Sequence, residues 1–144
     1  RSANEPPEGR STVLRVSVSG VRGVIGDGLD AVTAARWAAA LGAWLPPGEV
    51  VVGRDSRPTG PMIRDAVCAA LASTGHDVRD LGIASTPTTE MAVQETDAVG
   101  GVIITASHNP PEFNGFKMMA GTETLSGDEI HELYEIAVHA PAIV

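Results

Sequence analysis

Residues 98–106 read AVGGVIITA, a run in which apolar side chains occupy successive positions instead of alternating with polar ones. A strand of this composition is buried on both faces, which is typical of a central strand covered by helices. The shorter run VVV at 50–52 has the same character. Together the two stretches predict an α/β fold, because helix layers on both sides of a sheet are what buries such strands.

Helical patterns separate the predicted strands. Apolar residues recur at helical spacing from Val32 to Leu45, and PPG at 46–48 would end that helix. A second helix is predicted from about Pro61 to Thr74, followed by a strand in HDVRDLG at 76–82. This alternation predicts a three-layer α/β/α domain with a mainly parallel, mixed sheet.

The remaining predicted elements are shorter. VLRVSVS at 13–19 alternates like a half-buried strand, and GVRGVIGDGLD at 20–30 is interpreted as a glycine-rich loop. Thr86 is predicted to cap a short helix that runs to about Glu95. FKMM at 116–119 is interpreted as a short strand, and SGDE at 126–129 is a capping box that begins the last helix.

The 144 residues suit one domain, which we place at 13–144. RSANEPPEGRST at 1–12 is expected to be a disordered lead-in, because it has no apolar segment of the kind found in signal peptides. The single cysteine, Cys68, cannot form an internal disulfide. These features lead us to expect a cytoplasmic protein.

The net charge of −8 disfavours nucleic acid and anionic membranes as partners. Three of the nine arginines nevertheless lie in glycine-bearing segments, Arg22 in SGVRG and Arg54 and Arg57 in GRDSRPTG. A local cationic cluster in an acidic protein favours a small anionic ligand. The alternative is that these arginines pair with Asp27 and Asp55 or are simply solvated.

Three polar segments directly follow predicted strands: SGVRG at 19–23, GRDSR at 53–57 and TASHNP at 105–110. The carboxyl ends of parallel strands meet at one edge of a sheet, where ligands of α/β proteins bind. We therefore expect the three segments to converge.

The segment TASHNPPEFNGFK at 105–117 holds the strongest catalytic candidates. Ser107 lies just past the buried strand, with Pro110 and Pro111 restricting the backbone behind it. An exposed hydroxyl on a rigid backbone suits a nucleophile or phosphate carrier, and His108 could move a proton near neutral pH. The alternative is a turn serine beside a surface histidine.

Lys117 is the only lysine of the chain and comes directly after this loop. Its compact, titratable charge suits a general acid or base, although its position could also be accidental. Asn109 and Asn114 have an equally ordinary interpretation as turn residues. The remaining histidines have no partners at metal-ligand spacing, and no Walker loop or zinc motif occurs.

The loop TASHNPPEFNGFK resembles the signature of the α-D-phosphohexomutase superfamily, which includes phosphoglucomutases, phosphomannomutases and phosphoglucosamine mutases. SVSGVRGVIG at 17–26, VVGRDSRPTG at 51–60 and LGIASTPTTEMAV at 81–93 are similar to three further family segments in the same order. The resemblance covers nearly all of residues 13–138 and leans towards phosphoglucosamine mutase-like members. One departure is Val18, where many members have a threonine.

The resemblance implies a role for each matching residue. Ser107 would carry the phosphoryl group, with His108, Lys117 and Arg22 completing the catalytic set. Contact with substrate or phosphate is implied for Ser19, Arg22, Asn109, Asn114 and Lys117, and, in a more supporting role, for Arg54, Asp55 and Arg57. Phosphorylated Ser107 would also be the single magnesium ligand of this chain.

The implied reaction moves a phosphoryl group between the 1- and 6-positions of a hexose or hexosamine phosphate through phosphoserine and a bisphosphorylated sugar, which would also act as activator. The family's magnesium loop and sugar-binding loops belong to three later domains, which would be partners of this one. We therefore expect the 144 residues to be the first of four domains and to be inactive alone. The alternatives are a non-catalytic α/β module that binds a small phosphorylated ligand, and a phosphatase using Ser107.

Overall fold

The computed structural model describes residues 14–139, so the predicted lead-in at 1–12 lies outside the described residues. In chain order the elements are β1 Arg15–Ser17, β2 Gly20–Ile25, β3 Gly28–Leu29, α1 Ala31–Trp44, β4 Val50–Arg54, α2 Gly60–Ser73, β5 Val78–Ile83, α3 Thr86–Glu95, β6 Gly100–Ile104, β7 Phe113–Ala120, β8 Glu123–Thr124 and α4 Gly127–His139. None of the helices in this range is long and apolar enough to cross a membrane.

The sheet is mixed and has the order β1-β2-β7-β6-β4-β5, with β3 beside β2 and β8 beside β7. Strands β6, β4 and β5 are parallel, whereas β7 is antiparallel to both β6 and β2. Strand β6 is central and all five of its residues are buried, which confirms the interpretation of AVGGVIITA. The α/β class is confirmed. On the other side of the sheet, β1 pairs with β2 and β2 pairs with β7 in antiparallel orientation.

Helices cover both faces of the sheet. Val50 and Val52 of β4 belong to the larger core beneath α1, α2 and α4, whereas Val51 packs with Val93 of α3 on the opposite face. This alternation follows from the two-residue period of a strand. Helix α3 packs on β4 and β6. It therefore lies to one side of the part of this sheet face that β2 and β7 form.

The interpretation of residues 20–30 as a loop is wrong, because Gly20–Ile25 forms β2 between β1 and β7. Glycine is a common turn signal, yet Gly20 allows a close approach of two strands. A Cβ on Gly20 would lie 2.4 Å from the Phe116 carbonyl oxygen, and its φ is +111°. Glycine in a strand commonly marks such an approach.

The predicted helix ends are correct to within about one residue. Asp30 caps α1 by accepting a 2.8 Å hydrogen bond from the Thr33 N–H, and Ser126 and Glu129 form the predicted reciprocal capping box of α4. The cap of α3 is Ser85 instead of Thr86, since the Ser85 hydroxyl accepts from the Thr88 N–H.

His76 is a buried structural residue that the sequence pattern did not single out. Its Nδ1 lies 2.8 Å from the Gly48 carbonyl oxygen, and its Nε2 lies 2.7 Å from the Gly42 carbonyl oxygen. The ring is 6% exposed and thus bridges the end of α1 and the turn before β4. A neutral imidazole donates to one of these carbonyls and an imidazolium to both.

We expect His76→Leu to lower the free energy of unfolding of the chain by about 2–3 kcal/mol, because the hydrogen bonds of the buried residue to the Gly42 and Gly48 carbonyl oxygens would be lost. Urea denaturation followed by circular dichroism measures this change. His131→Leu on the exposed side of α4 is the matched control and should change the midpoint little. Equal midpoints for the two variants would contradict the bridging role of His76.

Candidate active site

Ser107 is presented on a strained backbone at the carboxyl end of β6. Thr105 and Ala106 before it are buried, whereas Ser107 is exposed. Its φ is 53°, the only positive value of a non-glycine residue within 14–139. Such a conformation costs about 1–3 kcal/mol and persists where the surroundings enforce it, which is frequent at functional sites. The Ser107 N–H donates to the Thr105 hydroxyl at 3.0 Å.

Among the described residues, Arg22 is the cation that hydrogen-bonds to the serine hydroxyl. Its Nη2 donates to Ser107 Oγ at 3.2 Å and to the Ser19 carbonyl oxygen at 3.4 Å. Ser19 thus contributes its backbone carbonyl and not its hydroxyl. Within residues 14–139, Arg22 Nη1 has no hydrogen-bond partner, which leaves a guanidinium group beside Ser107 able to receive an anion.

Gly115 opens the path along which Arg22 reaches Ser107. It is paired directly with Arg22 across β2 and β7. A Cβ at this position would lie 2.2 Å from the Val21 carbonyl oxygen and 2.9 Å from Arg22 Cγ. Any side chain here would therefore push the two strands apart or displace Arg22. The asparagine-glycine pair at 114–115, read from the sequence as a turn, is part of β7.

Lys117 lies on the same face of the sheet as Arg22. It pairs with Ile103, which belongs to the cluster on the α3 side, and it is two residues from Gly115 along β7. The Lys117 side chain is half-buried and makes no hydrogen bond or ion pair with any residue in the range 14–139. Its ammonium group is thus not neutralised by a neighbouring carboxylate of that range.

Arg15 is a cation on this face that the sequence pattern missed. It is paired directly with Arg22 in the β1–β2 ladder, and directly paired residues share a face. Its guanidinium carbon lies 5.8 Å from the centre of the Phe113 ring. The hairpin could have been recognised only if residues 20–25 had been interpreted as a strand.

Arg57 and Asp55 hold the backbone of the serine loop. Arg57 Nη1 donates to the carbonyl oxygens of Pro110 and Phe113, both at 2.9 Å, and Nη2 donates to those of Ser107 and Asn109 at 3.0 and 2.8 Å. Asp55 Oδ2 lies 3.4 Å from Arg57 Nε. The backbone carbonyl of Asn109 is therefore bound, while its side-chain amide has no hydrogen-bond partner in the described part of the chain.

His108 is exposed beside Ser107 and forms no hydrogen bond within the described residues. Its ring is therefore not tied to the serine hydroxyl or to an orienting carboxylate. A proton-transfer role remains a prediction that depends on a bound substrate.

Two predicted site residues lie away from the Ser107 hydroxyl. Arg54 pairs with Ile104 of the larger core, and its Nη1 donates to the Asp55 carbonyl oxygen at 3.2 Å, so it does not join the expected cluster of Arg22 and Lys117. Asn114 is fully buried, and its amide nitrogen donates to the Thr59 hydroxyl at 2.9 Å. Both face α2, because strand residues alternate between faces.

The described residues offer magnesium only a partial site. No group of three or more His, Cys, Asp or Glu side chains within 14–139 could hold a metal ion. Oxygen ligands are what magnesium prefers, and it takes about six of them in an octahedron. A phosphorylated Ser107 fits as one such ligand, so the others would have to come from substrate, water or residues outside this range.

Cys68 has no part in this site. It lies on α2, and burial, with a smaller contribution from the charge of Asp80, raises the pKa of its thiol to about 11. The thiol therefore stays protonated at neutral pH and is a poor nucleophile.

The chain is similar to known proteins over most of its described length. The model of the phosphoglucomutase/phosphomannomutase α/β/α domain I matches residues 14–141. A probable phosphoglucosamine mutase of Thermococcus kodakarensis is 48% identical over 100 residues, which cover 69% of this chain and 22% of that protein. The phosphomannomutase/phosphoglucomutase of Pseudomonas aeruginosa is 41% identical over 118 residues, which cover 80% of this chain and 26% of that protein.

Two solved structures are also similar to this chain. A phosphoglucomutase/phosphomannomutase family protein from Burkholderia thailandensis has a TM-score of 0.78 at 34% identity, over 88% of this chain and 31% of that one. A putative phosphomannomutase from Thermus thermophilus has a TM-score of 0.80 at 32% identity, over 86% of this chain and 30% of that one. The chain spans about a quarter of the length of its curated relatives. It belongs to the phosphoglucomutase/phosphomannomutase family, whose α/β/α domain I it contains.

Proposed function

We propose that this chain is the catalytic-serine domain of a phosphosugar mutase. In the complete mutase, meaning this domain joined to the remaining domains of the enzyme, Ser107 carries a phosphoryl group between two hydroxyls of a hexose or hexosamine phosphate. The observation that supports this most directly is the 3.2 Å contact between Arg22 Nη2 and the exposed, left-handed Ser107.

The first half-reaction transfers the phosphoryl group from the serine to the sugar. The P–O bond to Ser107 Oγ breaks while a P–O bond forms to a sugar hydroxyl. The leaving serine oxygen takes up a proton, and the sugar hydroxyl gives its proton to a base. Lys117 and His108 are the candidates for moving that proton, since both lie in or beside the signature loop. Arg22 and Lys117 stabilise the roughly two negative charges of the phosphoserine.

The second half-reaction reverses the roles of the two oxygens. The bisphosphorylated sugar reorients, and the Ser107 hydroxyl attacks its other phosphate. The serine proton leaves to a base and the leaving sugar oxygen takes up a proton, which regenerates phosphoserine and releases the isomeric monophosphate. Free bisphosphorylated sugar would load Ser107 in the same way and thus act as activator. Magnesium, bound through a phosphoserine oxygen and ligands outside this chain, would supply positive charge for phosphoryl transfer.

The relatives support the class of substrate and not one sugar. Some are named probable phosphoglucosamine mutases and others phosphomannomutase/phosphoglucomutase. The complete mutase should therefore be assayed with hexose and hexosamine phosphates in parallel.

Phosphorylation of Ser107 tests the proposal. We expect the complete mutase, incubated with glucose 1,6-bisphosphate and Mg²⁺, to gain the mass of one phosphoryl group, which peptide mapping places on Ser107. The isolated 144 residues should show no sustained turnover, because they span only about a quarter of the length of the curated relatives.

Each rival function predicts a different result in this experiment. A non-catalytic module would bind the sugar phosphate without a covalent change, and a phosphatase would release inorganic phosphate continuously. Robust mutase turnover by the isolated chain would contradict the proposed division of labour among domains.

A further inference from the structure

Both terminal nitrogens of the Arg57 side chain are used within the protein. Its four Nη hydrogens serve four backbone carbonyls, and its Nε lies 3.4 Å from Asp55 Oδ2. A guanidinium group has five N–H donors and no acceptor, and here the four Nη donors are all taken by the loop while the Nε faces Asp55. Arg57 thus differs from Arg22, whose Nη1 has no partner among residues 14–139.

The four acceptors of Arg57 belong to one short segment of the chain. They are the carbonyl oxygens of Ser107, Asn109, Pro110 and Phe113, which lie 50–56 residues from Arg57 in sequence. A proline has no N–H, and this loop has few internal hydrogen bonds. The four charge-assisted hydrogen bonds from Arg57 are therefore its main polar support. Arg57 therefore determines the course of the backbone from the serine to β7.

Arg57 is itself fixed to the sheet. Its side chain is 13% exposed, and Asp55 Oδ1 accepts a 3.1 Å bond from the Arg57 N–H while Asp55 Oδ2 faces Nε. The Asp55 N–H donates to the Ile104 carbonyl oxygen and so continues the β4–β6 ladder. The guanidinium group therefore connects the serine loop to the central strands β4 and β6.

We infer that Arg57 is a positioning residue for the phosphoryl carrier and not a phosphate ligand. It holds Ser107 in its left-handed conformation with the hydroxyl towards Arg22. The inference rests on the proposed function of Ser107 and replaces the expectation that Arg57 contacts phosphate. Lysine cannot substitute, because a point charge with three donors does not reproduce the planar fork.

Hydrogen exchange of the purified chain tests the holding role without any assay of activity. In Arg57→Ala, the amides of Asn109 and Phe113, which bond to Ala106 and Pro110 carbonyls, should exchange about tenfold faster or more, while core strands keep their rates. Arg57→Lys should resemble Arg57→Ala. Arg79→Ala, which removes an exposed ion pair with Glu49, is the control and should leave the loop unchanged.

Asp55→Asn provides a second variant in case Arg57→Ala does not fold. It weakens the anchor of the guanidinium and keeps its carbonyl bonds, so a smaller acceleration is expected at the same two amides. Unchanged loop exchange in Arg57→Ala, or in Asp55→Asn where the former does not fold, overturns the inference, as does wild-type exchange in Arg57→Lys.

Kinetics of the complete mutase separate positioning from ligand contact. A misplacement of about 1 Å costs on the order of 10²-fold in rate, so Arg57→Ala should lower kcat by about that factor with KM for the sugar phosphate nearly unchanged. A raised KM with wild-type kcat would make Arg57 a ligand contact and overturn the inference. If unsubstituted protein is never phosphorylated, the proposed function fails, and the exchange data still decide whether Arg57 holds the loop.

Discussion

Replacing Ser107 with alanine should abolish turnover of the complete mutase, with a loss of kcat on the order of 10⁴-fold or more, as for other covalent nucleophiles. No other hydroxyl group bonds to Arg22 within residues 14–139, so no neighbour can take over the phosphoryl group. A coupled assay of sugar phosphate isomerisation measures the loss, and mass spectrometry should show no phosphorylation.

The fold should survive this substitution. Ser107 is exposed, and its backbone bonds to Thr105 and Arg57 do not require the hydroxyl. Ser73→Ala is the matched control: it removes a hydroxyl at the end of α2 that donates to the Ala70 carbonyl oxygen, and it should keep full activity. Residual activity of Ser107→Ala above about 1% of wild type would exclude Ser107 as the obligatory carrier. If the complete protein catalysed no reaction that Ser107→Ala affects, and the variant still bound anions, the non-catalytic module would be favoured.

Replacing Arg22 with alanine is expected to lower kcat of the complete mutase by about 10²–10³-fold, the usual loss for one preorganised donor at a developing charge. The guanidinium is the only cationic group in the range 14–139 that bonds to Ser107 Oγ. Single-turnover measurement of phosphoryl transfer from phosphoserine to the sugar isolates this step from product release.

Arg22→Lys should recover a small part of the loss. Lysine restores a charge, but it cannot bond to the Ser19 carbonyl and a phosphate with the geometry of a guanidinium group. Arg79→Ala again serves as control, since it removes an arginine that is ion-paired with Glu49 and exposed. A wild-type transfer rate in Arg22→Ala would show that the 3.2 Å contact has no catalytic value.

Much of the fold is predictable from local patterns. The central position of β6, the bounds of α1 and α2 and the capping box of α4 follow from apolar periodicity and end signals, which act over a few residues. The error at residues 20–30 has one cause: the glycine-bearing segment GVRGVI forms a strand that pairs with residues of β7 91 to 95 positions further along the chain. Nothing within such a segment distinguishes a turn glycine from one that lets strands approach.

The candidate site divides in the same way. The sequence by itself determined the α/β class, the segment that carries Ser107, and the resemblance that makes this serine the proposed phosphoryl carrier. Only the tertiary structure decided that Arg22 reaches Ser107, that Arg54 and Asn114 face the opposite side, and that Arg57 binds the loop backbone. Except for the local bond of Arg54, these contacts join residues that lie 50 to 85 positions from each other in sequence. Strand order and the face of each side chain establish such contacts, and both are properties of the assembled sheet.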